Sequence, residues 1–184
     1  MQILYCITKS HPDHKAGTFL LLYRALYAIV EIVSGGAQMT FIRKSTFLDL
    51  ARIAEILVFN YRLYFYPIFK NDEYYFSELQ VPSQMEQFAD HIQSIWVYDD
   101  GAVKGFIEIE NGEVKKLFVE PALHGNAIGS ALLTYAINEH HAHTLWALEK
   151  NTRAIRFYQR HGFSVTTDRI PEEDTTEFLI RLER

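Results

Sequence analysis

Three short β-favouring runs follow one another with almost no chain between them: Ile95 to Tyr98, Val103 to Ile109 and Glu113 to Val119. Asp99-Asp100-Gly101 separates the first two and Asn111-Gly112 the last two. Parallel strands need a crossover of about a dozen residues or more, so connections this short leave only antiparallel pairing. The Asn-Gly pair supplies the two positive-φ positions of a type I′ hairpin turn. The middle of the chain is therefore an antiparallel meander, and the flanking segments must cover its faces.

Those segments read as helices and further strands. Ser34-Gly35-Gly36-Ala37-Gln38 is a small, flexible linker, and beyond it Met39 heads a candidate strand, Thr40 to Arg43. Thr46-Phe47-Leu48-Asp49 reads as a capping box, followed by Leu50, Ile53, Ala54, Leu57 and Tyr61 at helical spacing. Ser83-Gln84-Met85-Glu86 offers a second capping box for a helix reaching about Gln93. After the meander and Pro121, Ile128, Ala131, Leu132, Tyr135 and Ala136 mark one helical face. A strand, Thr144 to Glu149, leads to Asn151, which caps a helix closed by Gly162, and strands Phe163 to Arg169 and Thr175 to Leu182 follow. The order is βααβββαβαββ, an α/β (α+β) chain with a mixed sheet and helices on its faces.

Composition narrows the partners. Aromatic residues at 14% supply a sizeable core, and a net charge of −5 with no long basic run argues against a nucleic-acid partner. The only cysteine, Cys6, has no disulfide partner in the chain, so a reducing cytoplasm fits. The most apolar stretch, Thr18 to Val33, is 16 residues long and carries Arg24 and Glu31. It falls short of the roughly 20 apolar residues of a spanning helix, so the expectation is a buried helix and no membrane partner. Residues 1–38 are thus expected to form a helical extension to a domain over 39–184, either packed on that domain or mediating a homodimer. An upstream extension without function, with Met39 as the start, is the alternative.

The chemistry concentrates in the loop Leu123 to Ser130, which links a strand to a helix and carries Gly125 and Gly129. Glycine lets backbone N–H groups approach an anion, and the adjoining helix N-terminus adds partial positive charge. A second motif, Asn151-x-x-Ala154-x-x-Phe157-Tyr158-x-x-x-Gly162-Phe163, follows the next strand. Together with Leu117-Phe118-Val119-x-Pro121-x-x-His124-Gly125-Asn126-Ala127-Ile128-Gly129, it resembles the GNAT superfamily of acetyl-CoA-dependent N-acetyltransferases. The first segment is similar to that family's pyrophosphate signature, Gln/Arg-x-x-Gly-x-Gly/Ala. His124 stands where Gln or Arg is usual, and Ala127 where the first glycine is usual. Ala127 keeps its N–H, and its methyl is tolerable if φ is negative, while a His124 ring nitrogen can still donate.

The resemblance implies a mostly antiparallel sheet, acetyl-CoA as cosubstrate without a metal, and direct attack of an amine on the thioester. It implies cofactor contacts from Leu117, Phe118, Val119, His124, Gly125, Asn126, Ala127, Ile128, Gly129, Ser130 and Asn151. The backbone of residues 117–119 would pair with the pantetheine arm, and Val119 would polarise the thioester carbonyl. Glu113 matches the position of the catalytic glutamate in the histone acetyltransferase branch, with Glu108 and Glu149 as alternative bases. Tyr158 matches the general-acid tyrosine that protonates the departing thiolate.

Other clusters carry less. His140, His141 and His143 fall at a helix end, where histidines complement the dipole, and no acidic or thiol residues surround them in a metal-ligand spacing. Tyr61, Tyr64, Phe65, Tyr66, Phe69, Tyr74, Tyr75 and Phe76 place eight rings in 16 residues with Glu73 and Glu78 nearby. This is where the resembled family places its acceptor wall, and it suggests a pocket for an amine with an apolar body. Three functions remain open: acetylation of a small-molecule amine, acetylation of a protein N-terminus or lysine, and non-catalytic acyl-CoA binding.

Overall fold

The computed structural model describes residues 41–173 and 175–184. The boundary expected at residue 38 and the helix expected before it lie outside the described residues.

Strand β1 (Ile42–Lys44) leads through a 3-10 turn, Phe47–Asp49, into α1 (Leu50–Asn60). Arg43 fastens this entry. Its guanidinium donates to both Asp49 carboxylate oxygens at 2.8 Å and reaches Asp99 at 2.7 Å, so one side chain joins β1, the turn before α1 and the end of β2. The same Asp49 carboxylate accepts from Thr46 N–H and Oγ1 at 2.8 and 2.9 Å, the acidic half of the expected capping box. Hydrogen bonding to Arg43 holds the buried Asp49 down to about 2.

The aromatic stretch continues α1 rather than leaving it. Tyr61–Phe65 forms a wide π-helical turn, α2 (Tyr66–Phe69) ends at Lys70 with φ 50°, and a second π turn spans Glu73–Glu78. Helix α3 (Val81–Asp90) corrects the second capping-box assignment. It begins two residues before Ser83 and ends before Gln93, because Pro82, which needs no N–H partner, sits in the first turn behind an extended Gln80.

The meander forms as expected from β2 (Ile95–Asp99), β3 (Val103–Glu110) and β4 (Glu113–Val119), paired antiparallel in that order. Asn111 and Gly112 take φ of 51° and 79°, both positive as a type I′ turn requires. Then come α4 (Ile128–His140), β5 (Thr144–Leu148), α5 (Thr152–Arg160), β6 (Ser164–Pro171) and β7 (Phe178–Glu183). The sheet order is β1-β2-β3-β4-β5-β7-β6, with β4 and β5 the one parallel pair among these neighbours. The result is the expected mixed, mostly antiparallel sheet.

Two cores lie on its two faces. Ile95, Val97 and Phe106 pack under α1 and α3 with Ile53, Leu57 and Phe88. Trp96, Ile107, Ile109 and Val114 alternate to the other face and meet Leu132, Leu133 and Ala136 of α4. Strands buried on both faces are apolar almost throughout, which is why β2 and β3 read as continuous runs. Gly105 is a packing requirement in β3: a β-carbon there would stand 2.9 Å from Phe118 O and 3.3 Å from Ile128, so its absence lets α4 start close over the sheet.

Candidate active site

The site begins as a defect in β4. Glu108 pairs with Lys116, whereas Ile109 pairs with Val114, so Lys115 is an extra residue on β4. Such a bulge bends its strand and sharpens the twist. Just before this point β4 and β5 run parallel through Glu113↔Thr144 and Val114↔Leu145, and their pairing goes no further. Strand β5 stays on β7 as far as Leu148↔Leu179, leaving the β4 side of Trp146 to Leu148 without a strand. The two strands splay into a cleft that opens towards the C-terminal end of β4.

Antiparallel pairs alternate between hydrogen-bonded and non-bonded. Glu120 N–H donates to Lys104 O at 2.8 Å, so the alternation places Phe118 opposite Phe106 in a bonded pair and leaves Leu117 and Val119 in non-bonded ones. Leu117 and Val119 therefore turn their backbone groups into the cleft. Phe118 spends its own on β3 and offers the cleft no backbone partner. The Val119 carbonyl is already engaged, accepting Asn60 Nδ2 at 3.0 Å and His124 Nε2 at 3.1 Å. The N–H groups of Leu117 and Val119 and the carbonyl of Leu117 remain.

After β4, a 3-10 turn (Pro121–Leu123) delivers the loop to α4. Backbone N–H of His124 and Asn126 is consumed inside this turn, by Pro121 O and Leu123 O. Gly125, Ala127, Ile128, Gly129 and Ser130 form no such bond among the described residues, so five N–H groups at and just before the α4 N-terminus have no backbone partner. Unpaired N–H groups at a helix N-terminus are chemically suited to an anion. Gly129 sits where a β-carbon would lie 3.6 Å from both Val119 and Phe157, so α4, the end of β4 and α5 meet there.

Two signature residues behave differently from expectation. Ala127 has φ 60° and ψ 2°, a left-handed conformation, so the negative φ that would make its methyl tolerable is not adopted. The chain must reverse abruptly between Gly125, itself at φ 92°, and the first helical turn. His124 does not aim a ring nitrogen at these N–H groups. Nε2–H donates to Val119 O, which leaves Nδ1 to accept from Tyr64 Oη at 3.2 Å. Burial lowers its pKa, so the ring is neutral and ties the end of β4 to the π turn after α1. A residue the sequence reading passed over supplies positive charge here: Arg153, on the first turn of α5, lies 5.7 Å over the Tyr64 ring and is exposed. Nothing local marks Arg153, because Tyr64 is distant in sequence.

Asn151 caps α5, its side-chain oxygen accepting Ala154 N–H at 3.1 Å, and its amide hydrogens form no bond among the described residues. Tyr158 is half-buried against Phe157 and Phe163, with ring centroids at 5.2 and 6.1 Å. Its hydroxyl has no hydrogen-bond partner among the described residues, and burial raises its pKa, so it keeps its proton at neutral pH.

The candidate bases are spread along the sheet. Glu113 sits at the opposite end of β4 from the loop, about 20 Å from Val119 at the usual rise per residue, and pairs with Lys115 at 3.0 Å. It stands at the apex of the cleft, where β4 and β5 still pair. Glu108 is buried, held by Lys116 at 2.9 Å and 3.5 Å from His91. Glu149 is exposed on Arg169 at 2.8 Å, and that bond lowers its pKa, which weakens it as a base. The aromatic wall stands on the Glu108 face: Tyr61 packs on Phe65 and Phe118 at 4.9 and 5.7 Å, and Tyr75 on Tyr66 and Tyr74 at 5.6 and 5.0 Å. Glu73 and Glu78 are exposed.

Residues 91–165 match the family model described as "Acetyltransferase (GNAT) domain". The matched region runs from the end of α3 to the start of β6. It is 38% identical over 72 residues to the Peptidyl-lysine N-acetyltransferase YiaC of Escherichia coli, covering 38% of this chain and 49% of that protein. The chain spans about half the length of the curated relatives it matches. Among solved structures, an N-acetyltransferase of Staphylococcus aureus aligns with a TM-score of 0.64 at 16% identity, over 77% of this chain and 98% of that one. The putative acetyltransferase yncA of Salmonella typhimurium, solved with acetyl-CoA, aligns with a TM-score of 0.58 at 21% identity, over 78% of this chain and 91% of that one. These neighbours share its fold.

Proposed function

We propose that the chain is an acetyl-CoA-dependent N-acetyltransferase that moves the acetyl group to a primary amine by direct attack within a ternary complex. The observation that carries this reading is the continuity of the cleft between β4 and β5 with five unpaired N–H groups at the α4 N-terminus. An elongated thioester with an anionic end fits that shape: Leu117 and Val119 receive the amides of the arm as an added strand, and the unpaired N–H groups receive the pyrophosphate. The acetyl-CoA bound to the yncA protein of the same fold supports that ligand.

In this reading the amine nitrogen attacks the thioester carbonyl, the C–N bond forms, and the backbone N–H facing the cleft stabilises the oxyanion. The amine gives up a proton to a carboxylate, with Glu113 the first choice; as Glu113 stands at the closed end of the cleft, the proton would pass along a chain of water molecules. The C–S bond then breaks. Tyr158 gives its proton to the thiolate and regains one from solvent, for which its retained proton suits it. A lysine side chain of a protein is a second reading of the acceptor, favoured by the peptidyl-lysine activity named for the curated relatives.

Thermal unfolding with CoA and acetyl-CoA, followed by thiol release against an amine panel that includes a lysine peptide, tests the proposal. Saturating cofactor should raise Tm and at least one amine should release thiol. No Tm rise with either cofactor would overturn it.

A further inference from the structure

Cations on the sheet lie against carboxylates, as Arg43 does on Asp49, Lys116 on Glu108 and Arg181 on Asp168. Helix α5 is different. Arg153, Arg156 and Arg160 are exposed along it at spacings of three and four residues, which sets them on one side of the helix. None of the three has a carboxylate partner among the described residues. Acidic side chains are also missing from the surrounding sequence: neither 121–138 nor 151–167 contains an aspartate or glutamate, in a chain that holds 23.

The stripe borders the unpaired N–H groups of the α4 N-terminus. Phe157, on the same side of α5 between Arg153 and Arg160, reaches the first turn of α4, where a β-carbon on Gly129 would lie 3.6 Å from its ring. Arg153 stands 5.7 Å over Tyr64, whose hydroxyl bonds His124 at the start of the loop. His124 occupies the signature position usually held by Gln or Arg, yet both its ring nitrogens are engaged within the protein. The chain as a whole carries −5, so a polyanion is repelled at long range unless a local field of opposite sign intervenes. Cations about one helical turn apart lie within the screening length of about 10 Å at 0.1 M salt and act together.

We propose that the arginine stripe of α5 is an electrostatic capture surface for the polyanionic cosubstrate: it draws the phosphate end of the ligand to the α4 N-terminus and sets the rate of association. The inference rests on the acetyltransferase reading and deepens it, assigning to α5 the positive charge that His124 does not supply. Arg156 and Arg160 act by charge rather than by contact. Their loss therefore slows arrival and leaves departure nearly unchanged, and the more highly phosphorylated of two ligands gains more from the stripe.

The test uses the full chain in surface plasmon resonance, with CoA and dephospho-CoA as probes at about 0.02 M and about 0.5 M salt. In the parent protein CoA should associate faster than dephospho-CoA at low salt, and its rate should fall about 10-fold across the salt range. The double variant Arg156→Gln/Arg160→Gln should bind CoA about 3- to 10-fold more slowly at low salt and at the parent rate at high salt, with dissociation within about twofold. The gap between the two probes should narrow. Arg156→Lys/Arg160→Lys keeps the charge and should keep the parent rate, and Lys70→Gln, which removes an exposed charge from another segment, should change it by less than about twofold. Association rates and salt dependence equal in the parent and the glutamine variant overturn the inference and leave the cofactor reading standing. A variant that loses CoA through faster dissociation, or a lysine variant as slow as the glutamine one, also overturns it, because contact and not charge would then be at work. Absence of CoA binding in the parent overturns the acetyltransferase reading itself.

Discussion

Replacing Ala127 by glycine should stabilise this protein, although the residue removed carries only a methyl group. At φ 60° and ψ 2°, Ala127 holds a left-handed conformation at the head of α4 and makes no side-chain capping bond. For a residue with a β-carbon that conformation costs roughly 1–2 kcal/mol. Glycine removes the cost but raises the entropy of the unfolded chain, which returns about 0.4–1 kcal/mol. The expected net gain is about 0.5–1 kcal/mol, a Tm increase of about 1–4 °C for a chain of this size. Gly125→Ala supplies the opposite sign: nothing lies within 4 Å of the added carbon, so the loss of about 1 kcal/mol would come from φ 92° alone. Differential scanning calorimetry of both variants, with and without CoA, measures the pair. The CoA-dependent rise should survive in Ala127→Gly, since the N–H at 127 is kept. A Tm for Ala127→Gly at or below that of the parent, together with an unaffected Gly125→Ala, would refute the backbone argument.

Tyr158→Phe should leave the CoA-dependent Tm rise unchanged and slow acetyl transfer by about 10- to 1000-fold in single-turnover kinetics, because only the hydroxyl is lost. Asp49 is depressed from 3.8 to about 2, so its contribution is complete above pH 4 and is lost as pH falls through 2; denaturant titrations should show about 2 kcal/mol disappearing across that window, and Asp49→Asn should flatten it. Asn60→Leu removes a bond to the Val119 carbonyl and to the last turn of α1, and should cost about 1–3 kcal/mol by urea unfolding while weakening CoA. Gly129→Ala should be tolerated thermally, its β-carbon having 3.6 Å to its nearest neighbours, whereas Gly129→Trp would collide with Val119 and Phe157 and report on packing as much as on cofactor.

What the sequence made legible is what short-range chemistry controls. Asn111-Gly112 dictates its turn through two positive-φ positions, and the meander follows from it. The face of α4 reads from its spacing, and Ile128, Leu132 and Ala136 are buried. Where two local signals compete, the reading erred: Ser83 to Glu86 has the pattern of a capping box, but Pro82 before it is the stronger start signal and belongs inside the helix. Long-range contacts left no trace. His124 sits at the signature position in sequence, but its ring is claimed by Tyr64 and by the Val119 carbonyl, which only the folded chain brings together.

The extra residue at Lys115 belongs to the same class and matters most for function. No glycine or proline marks it, because a bulge in the middle of a ladder is set by how the flanking pairs settle. Val114 and Val119 must both enter the core under α4, and five steps along a regular strand would put them on opposite faces. One surplus residue resolves the conflict by resetting the alternation. It also bends β4 away from β5 at the pair Val114↔Leu145, so the demand of the core for both valines is what opens the cleft. Binding capacity then follows from the opening, since an N–H that would have joined β5 is left facing the space between the strands.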